Sequence, residues 1–203
     1  ILHRFADLIE AEAATLDALD AEEMGKPISV GFCNSATAAG LMRFYAEALD
    51  KLNSDVFNSD RNSFVTQRHV PMGVVGAIVP WNFPAYCVVL KCAPALAAGN
   101  TLVLKPSELS SRSAIRLAQL ALEAGVPPGV FNVVPGTGEI IGKTLALHQQ
   151  VDLITFTGST AVGRSIMQYA GQFNLKRVML ECGGKSPHIV FDDGVDLQRT
   201  QVT

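Results

Sequence analysis

From Pro71 onward the chain repeats one unit: a short apolar run, a polar or glycine-rich connection, then a segment with helical period. Val74–Val79 is continuous and β-branched, as a strand buried on both faces requires. Pro84 suits the first position of a helix that runs through Ala97 and closes at Gly99-Asn100. Thr101–Leu104 reads as the next strand. Ser110 or Ser111 caps a helix from about Ser113 to Ala124, which Gly125 and Pro127-Pro128 end. Strand Phe131–Val134, a helix over about Glu139–Leu147, strand Leu153–Phe156, a helix over about Ala161–Ala170 and strands Arg177–Leu180 and His188–Phe191 continue the series. Alternating strands and helices with short connections predict a doubly wound α/β fold, a parallel sheet with helices on both faces.

Residues 1 to about 50 read instead as helices. Phe5, Leu8, Ile9, Leu16 and Leu19 recur at helical spacing before Gly25-Lys26-Pro27 stops the pattern. A second, alanine-rich helix is expected from about Ser35 to Leu49. Between Val56 and Val70 the helical period is lost, and Phe64-Val65-Thr66 and His69-Val70 are expected as short strands. The domain reading is therefore N-terminal helices over 1–55, a β segment over 56–73 and a nucleotide-binding domain over 74–203. The chain opens at Ile1 inside a helical pattern and stops after Gln198–Thr203 without a helix stop, so it reads as a fragment.

Composition narrows the function classes. Apolar residues make up 48% of the 203, and charged residues 17%, enough to bury a sizeable core. A net charge of −3 argues against a nucleic-acid or anionic-membrane partner, and no apolar run is long enough to span a bilayer. Cys33, Cys87, Cys92 and Cys182 form neither a metal nor a redox spacing, which fits reduced thiols in a cytoplasmic protein; no metal site is expected.

Ligands of such sheets bind beyond the carboxyl ends of the strands, and that is where the unusual residues fall. Val79 is followed by Pro80-Trp81-Asn82-Phe83-Pro84, and Leu104 by Lys105-Pro106-Ser107-Glu108. Val134 leads into Pro135-Gly136-Thr137-Gly138, Phe156 into Thr157-Gly158-Ser159-Thr160, and Leu180 into Glu181-Cys182-Gly183-Gly184-Lys185. Each has a plain alternative. Gly136-x-Gly138-x-x-x-Gly142 resembles a dinucleotide fingerprint whose last glycine comes one residue late, or a set of turn glycines. Gly158-Ser159-Thr160-x-x-Gly163 either cradles a phosphate at a helix start or simply caps that helix. Lys105 and Glu108 suit a ribose diol, and the carboxylate would repel the extra phosphate of NADP; elsewhere they would be a solvated pair. Asn82 is an amide donor to an oxyanion or a helix-flanking residue. Trp81, the one tryptophan, packs in a core or on a bound ring. Glu181 at an apolar strand end is a general base if desolvation raises its pKa, or a structural glutamate beside Lys185.

Taken together and in this order, these segments resemble the NAD(P)-dependent aldehyde dehydrogenase superfamily, from about Ile1 to Leu197. The resemblance implies oxidation of an aldehyde to a carboxylic acid through a cysteine thioester, with hydride transfer to NAD, NADP being the alternative, on a Rossmann-like fold. It implies that Asn82 donates to the oxyanion and that Glu181 is the general base. Lys105 and Glu108, with Ser107 in their turn, would hold the adenosine ribose. Ile78, Val79, Pro80 and Trp81 would line the nicotinamide side, and Ser159 would meet the pyrophosphate. Gly138, Gly142, Phe156 and Val162 would shape the adenine and diphosphate surface. Thr157, Gly158, Cys182 and Gly183 are counted with the cofactor contacts. The parent protein is expected to be a homo-oligomer, dimer or tetramer, with the strands of 56–73 helping to assemble it.

Two departures qualify the match. Cys182 stands where the family usually has leucine; strand neighbours point to opposite faces, so Glu181 does not activate it directly. The family's nucleophile lies in a Gly-Gln-x-Cys segment, and no such segment is present in the chain. The expectation is a cofactor half with oxyanion donor and base, inactive by itself. A dinucleotide-binding or subunit-interaction module without turnover is the alternative.

Overall fold

The computed structural model describes residues 1–184 together with Ser186, Pro187, Ile189 and Phe191. The N-terminal apolar pattern forms α1 (Leu2–Ala11) and α2 (Ala13–Met24), so the single expected helix is interrupted at Glu12. α2 stops at Gly25, whose φ of 77° only glycine adopts cheaply. α3 (Ser35–Ala48) starts at Asn34, whose side chain accepts from the Thr37 amide at 2.9 Å. An antiparallel ribbon of β1 (Val56–Phe57) and β2 (Val65–Thr66) follows, exposed at every position. Its ladder ends where Gln67 donates to the Asp55 carbonyl. His69-Val70 lie past that rung and form no strand, correcting the expectation; Val56-Phe57 supply the partner instead.

The remaining elements alternate as anticipated: β3 (Val74–Ile78), α4 (Pro84–Ala97), β4 (Thr101–Lys105), α5 (Arg112–Ala124) and β5 (Phe131–Val133). α6 (Lys143–Leu147), β6 (Leu153–Gly158), α7 (Thr160–Gln172) and β7 (Arg177–Cys182) complete them. The strands form one parallel sheet in the order β5-β4-β3-β6-β7. The chain starts in the middle at β3, builds outward to β5, then returns to the other side of β3 at β6. The crevice between β3 and β6, where strand order reverses, is the usual ligand position of a doubly wound sheet. Of the strand expected over His188–Phe191, His188 and Val190 lie outside the described residues, as does Lys185.

Side-chain alternation splits the core between the two faces. Val75, Ala77, Val79, Leu102 and Leu104 pack with Val88 and Cys92 of α4, Leu117 and Leu120 of α5, and Phe5, Ile9 and Met42 of the N-terminal helices. Ile78, Ile154 and Phe156 pack with Ala146 of α6 and Ile166 of α7. The first helices therefore share a core with the sheet.

α2 also serves the starts of both helices that cross from strand to strand on this face. The Asp20 carboxylate, 4% exposed, accepts from the Ala85 amide at 3.1 Å in the first turn of α4. Glu23 accepts from the amides of Ser111 and Arg112 at 3.3 and 3.0 Å. The expected serine cap of α5 is thus corrected: Ser111 holds the capping position, but its side chain makes no capping bond, and a carboxylate from α2 does that work.

Candidate cofactor and catalytic site

All five segments singled out in the sequence leave the carboxyl edge of the sheet. Beyond β3, the Val79 amide donates to the Lys105 carbonyl, extending the ladder one residue past Ile78. Trp81 and Asn82 then emerge into solvent immediately before Pro84 opens α4, with the Ser110 hydroxyl donating to the Trp81 carbonyl. Phe83 meets Phe32 edge to face, centroids 5.7 Å apart, and the Lys26 ammonium sits 5.6 Å from its ring centre.

At the end of β4, Lys105 is buried between neighbouring strands, and its ammonium pairs with the half-exposed Glu108 at 2.9 Å. Lys105, with help from the amides of Glu108 and Gly138, holds the Glu108 carboxyl below its ordinary pKa. Ser107 spends its hydroxyl inside the turn, accepting from the Leu109 amide at 3.2 Å. This is a fixed charge pair with one wet face.

After β5 the chain enters a π-wound turn over Gly138–Gly142 before α6. The wider winding absorbs one residue more than an α turn does, which accounts for the late glycine of the fingerprint. The expected helix over Glu139–Leu147 is corrected to this extent: only Lys143–Leu147 is α-helical. Gly136 has φ 150°, and a Cβ there would lie 2.6 Å from Ile141 Cγ1, so the glycine lets Ile141 tuck under the turn.

Beyond β6, Ser159 caps α7, its Oγ accepting from the Val162 amide at 3.3 Å. The Thr157 hydroxyl beside it is buried and has no hydrogen-bond partner. Leu180 and Cys182 of β7 face Gly163 of α7, where an added Cβ would come within 2.9 Å of Cys182 Sγ. Glu181 lies on the other face of the strand. It is exposed, so the expected desolvation of its carboxylate is not realised: among the described residues β7 is the outermost strand, exposed at every second position. Lys91 of α4 bears electrostatically on Glu181 and Cys87, and burial lowers its pKa against the pull of those two groups. The sequence reading passed over Lys91. Its signal was a lone charge in the otherwise uncharged helix Pro84–Ala97.

A cleft of about 1030 Å³ lies along this edge, at the upper end of cofactor-site volumes. It gathers Ile78 at the end of β3 with Glu108, Gly138, Gly142 and Val162 from three of the five segments. Thr137, Glu139, Ile140, Lys143, Ser165 and Tyr169 also line it and were not anticipated. The helical spacing Val162, Ser165, Ile166, Tyr169 on α7 was the available signal. Val79 and Phe156 are buried in the two cores rather than lining the cleft. Lys105 stands behind Glu108, and Pro80, Trp81, Ser107, Thr157, Gly158, Ser159, Cys182 and Gly183 border the same edge without lining it, as do Asn82 and Glu181.

The residues present fit a dinucleotide: a carboxylate acceptor beside a fixed cation, an orphaned buried hydroxyl at Thr157, and a capped helix start at Ser159. Strand order and edge chemistry define a doubly wound α/β protein with a cleft suited to a nucleotide. Residues 1–202 match the aldehyde dehydrogenase family, and the chain belongs to that family. It is 48% identical over 200 residues to the NADP/NAD-dependent aldehyde dehydrogenase PuuC of Escherichia coli (strain K12), covering 98% of this chain and 40% of that protein. An indole-3-acetaldehyde dehydrogenase structure in complex with NAD+ superposes with TM-score 0.88 at 50% identity, covering 97% of this chain and 40% of the other. The γ-glutamyl-γ-aminobutyraldehyde dehydrogenase of Burkholderia cenocepacia J2315 gives TM-score 0.88 at 53% identity, covering 98% and 40%. The chain thus spans about 40% of the length of these relatives. Among the described residues no helix is long and apolar enough to cross a membrane.

Proposed function

We propose that this chain is the cofactor-binding part of an NAD(P)-dependent aldehyde dehydrogenase and that its cleft takes NAD, with NADP as the alternative. The observation that carries the reading is the cleft itself, which brings Ile78, Glu108, Gly138, Gly142 and Val162 together at the strand-order reversal of a family member. Bound there, the nicotinamide would accept the hydride released when an aldehyde is oxidised to a carboxylic acid. Lys105 and Glu108 would hold the adenosine ribose, with Ser107 shaping their turn. Ser159 and the start of α7 would face the pyrophosphate, and the edge Ile78–Trp81 the nicotinamide.

Asn82, exposed at the start of α4, would donate its amide to the developing oxyanion. Glu181 would take the proton from the thiol or the deacylating water, with the Lys91 ammonium of α4 bearing on it electrostatically. The nucleophilic thiol lies outside these 203 residues in this reading, and the thiol environments support it. Burial pushes Cys87 up to about 11, and raises Cys92 and Cys33 as well. Cys182 packs toward Gly163, away from Glu181. The three raised thiols, Cys33, Cys87 and Cys92, are not activated thiolates. The domain boundaries 1–55, 56–73 and 74–203 belong to the same proposal, with the exposed β1–β2 ribbon contributing to a homo-oligomer of the parent protein.

Titration of the purified chain with NAD and then NADP, followed through Trp81 fluorescence, tests the reading. The expected result is a saturable change that weakens in Glu108→Ala, with no aldehyde-dependent NADH formed. A folded sample that shows no saturation with either dinucleotide would sink the cofactor assignment, and NADH production by the chain itself would sink the external thiol.

A further inference from the structure

Asp17, Asp20, Glu23 and Lys26 follow one another at three-residue steps, a spacing that keeps the three carboxylates on one side of α2. Each carboxylate meets the start of a different helix. Asp17 accepts from the amide and hydroxyl of Ser35 in α3 at 2.9 and 2.7 Å, while Asp20 and Glu23 serve α4 and α5 as described above. Lys26 stands just past the left-handed turn at Gly25, and its ammonium donates to the carbonyls of Phe32 and Cys33 at 2.8 and 3.2 Å. The connection between α2 and α3 therefore closes on Lys26, and Asp17 holds its far end. That closure sets the Phe32 ring edge to face against Phe83, centroids 5.7 Å apart, and leaves the same ammonium 5.6 Å from the Phe83 ring centre. Phe83 occupies the capping position of α4 without a side-chain capping bond, and the proline after it disfavours a helical backbone there. Its ring is what fixes it. Asn82 comes immediately before and is exposed, and on its other side the Trp81 carbonyl accepts from the Ser110 hydroxyl at 3.4 Å. The amide is held through its two neighbours.

We infer that Lys26 is a positioning residue for the Asn82 amide and acts through the Phe83 ring. The inference rests on the oxyanion reading of Asn82 given above. Consecutive Cα atoms are about 3.8 Å apart, so a swing of Phe83 carries Asn82 with it. An oxyanion contact depends on aim, and a misplacement of about 1 Å can cost a catalytic group roughly a hundredfold in rate. Hydrogen bonds from a charged donor are stronger than ring contacts. The two carbonyl bonds of Lys26 therefore hold the loop, and the loop holds Phe32 on Phe83. Removing the ammonium releases both of the contacts that fix the Phe83 ring.

Amide relaxation by NMR on the isotope-labelled chain tests this, with Lys26→Met, Lys26→Arg and Phe32→Ala beside the unmodified protein. In the unmodified chain the Asn82 and Phe83 amides should have order parameters like those of β3, about 0.85. Lys26→Met should bring both below about 0.6 with β3 and β4 unmoved. Lys26→Arg keeps a cation that donates and stacks, and should restore them. Phe32→Ala leaves Lys26 in place, removes one of the two ring contacts and should give an intermediate loss, so the test survives a Lys26→Met chain that does not fold. Order parameters at Asn82 that stay unmoved in these variants, or that fall equally through β3 and α4, would overturn the role of Lys26 and leave the reading of Asn82 in place. NAD titration of the unmodified chain is read separately: a folded sample without saturation removes the function proposed above, and this inference with it.

Discussion

Lys105 and Glu108 form an ion pair at 2.9 Å whose two members live in different solvents: the lysine side chain is 3% exposed and the glutamate 48%. The buried cation depends on the half-wet anion for its counter-charge. Glu108→Gln keeps an acceptor for a ribose but strands that cation. Its cost should fall between an exposed pair and a fully buried one, about 1–2 kcal/mol. Lys105→Met removes the charge instead of stranding it and should cost less. Urea unfolding of the two variants checks the order; a reversed order would mean that Lys105 finds its solvation elsewhere.

Asp20 offers a pH test. Desolvation raises its pKa, with the Ser113 hydroxyl and the Ala85 amide pulling it back. A carboxyl with a raised folded pKa contributes stability that is full below its unfolded value, about pH 4, and is lost as pH rises through the folded value. The unmodified chain should therefore lose part of its stability between acid and neutral pH. Asp20→Asn keeps an acceptor for the Ala85 amide and should flatten that slope, being at least as stable at pH 7. Asp20→Ala loses the cap and should cost about 1 kcal/mol. Denaturation midpoints across pH 4–8 separate the three.

Gly73 precedes the central strand with φ 119°, and a Cβ there would lie 2.2 Å from Asp152 Oδ2. That oxygen accepts from the Val74 amide at 2.8 Å, so it has little freedom to retreat. Gly73→Ala should destabilise by about 1–3 kcal/mol and lower the melting temperature by roughly 5 °C. An unchanged melting temperature would show that the β6 entry yields easily.

Lys176 is 7% exposed, and its ammonium donates to the carbonyls of Leu145 and His148 at the end of α6. Asn174 donates to the carbonyls of Gln149 and Val151, with Leu175 between them at φ 54°. Lys176→Met should remove the charged donor from the Leu145 and His148 carbonyls, which keep the amides of His148 and Val151, at a cost of about 1–2 kcal/mol. Amide exchange over 143–151 should accelerate more than over β3 or β4; uniform acceleration would mean that Lys176 serves the whole sheet.

The strand–helix alternation was legible because buried parallel strands must be continuously apolar and their connections must turn at the edge, as Val74–Ile78 and the Pro84 helix start show. The edge residues were legible for the same reason: polar and glycine-rich segments after apolar strands have one place to go. Relationships across long sequence separations were not. Nothing near Glu23 signals that it caps α5, and nothing in Ser111 signals that it does not. Burial at a sheet edge was misjudged at Glu181 because the apolar strand Val178–Leu180 carries no mark of what packs against it. Tyr169 and Lys143 meet only because two separate helices converge on the cleft.

The two carboxylates of α2 tie distant parts of the chain into one event. Asp20 reaches an amide 65 positions later, and Glu23 reaches amides 88 and 89 positions later. Contacts of such high order form late, because the intervening loop must close first. Detaching α2 would uncap both crossover helices at once, so the sheet and the opening helices should melt as one cooperative unit, with proteolysis finding no stable fragment that begins at β3.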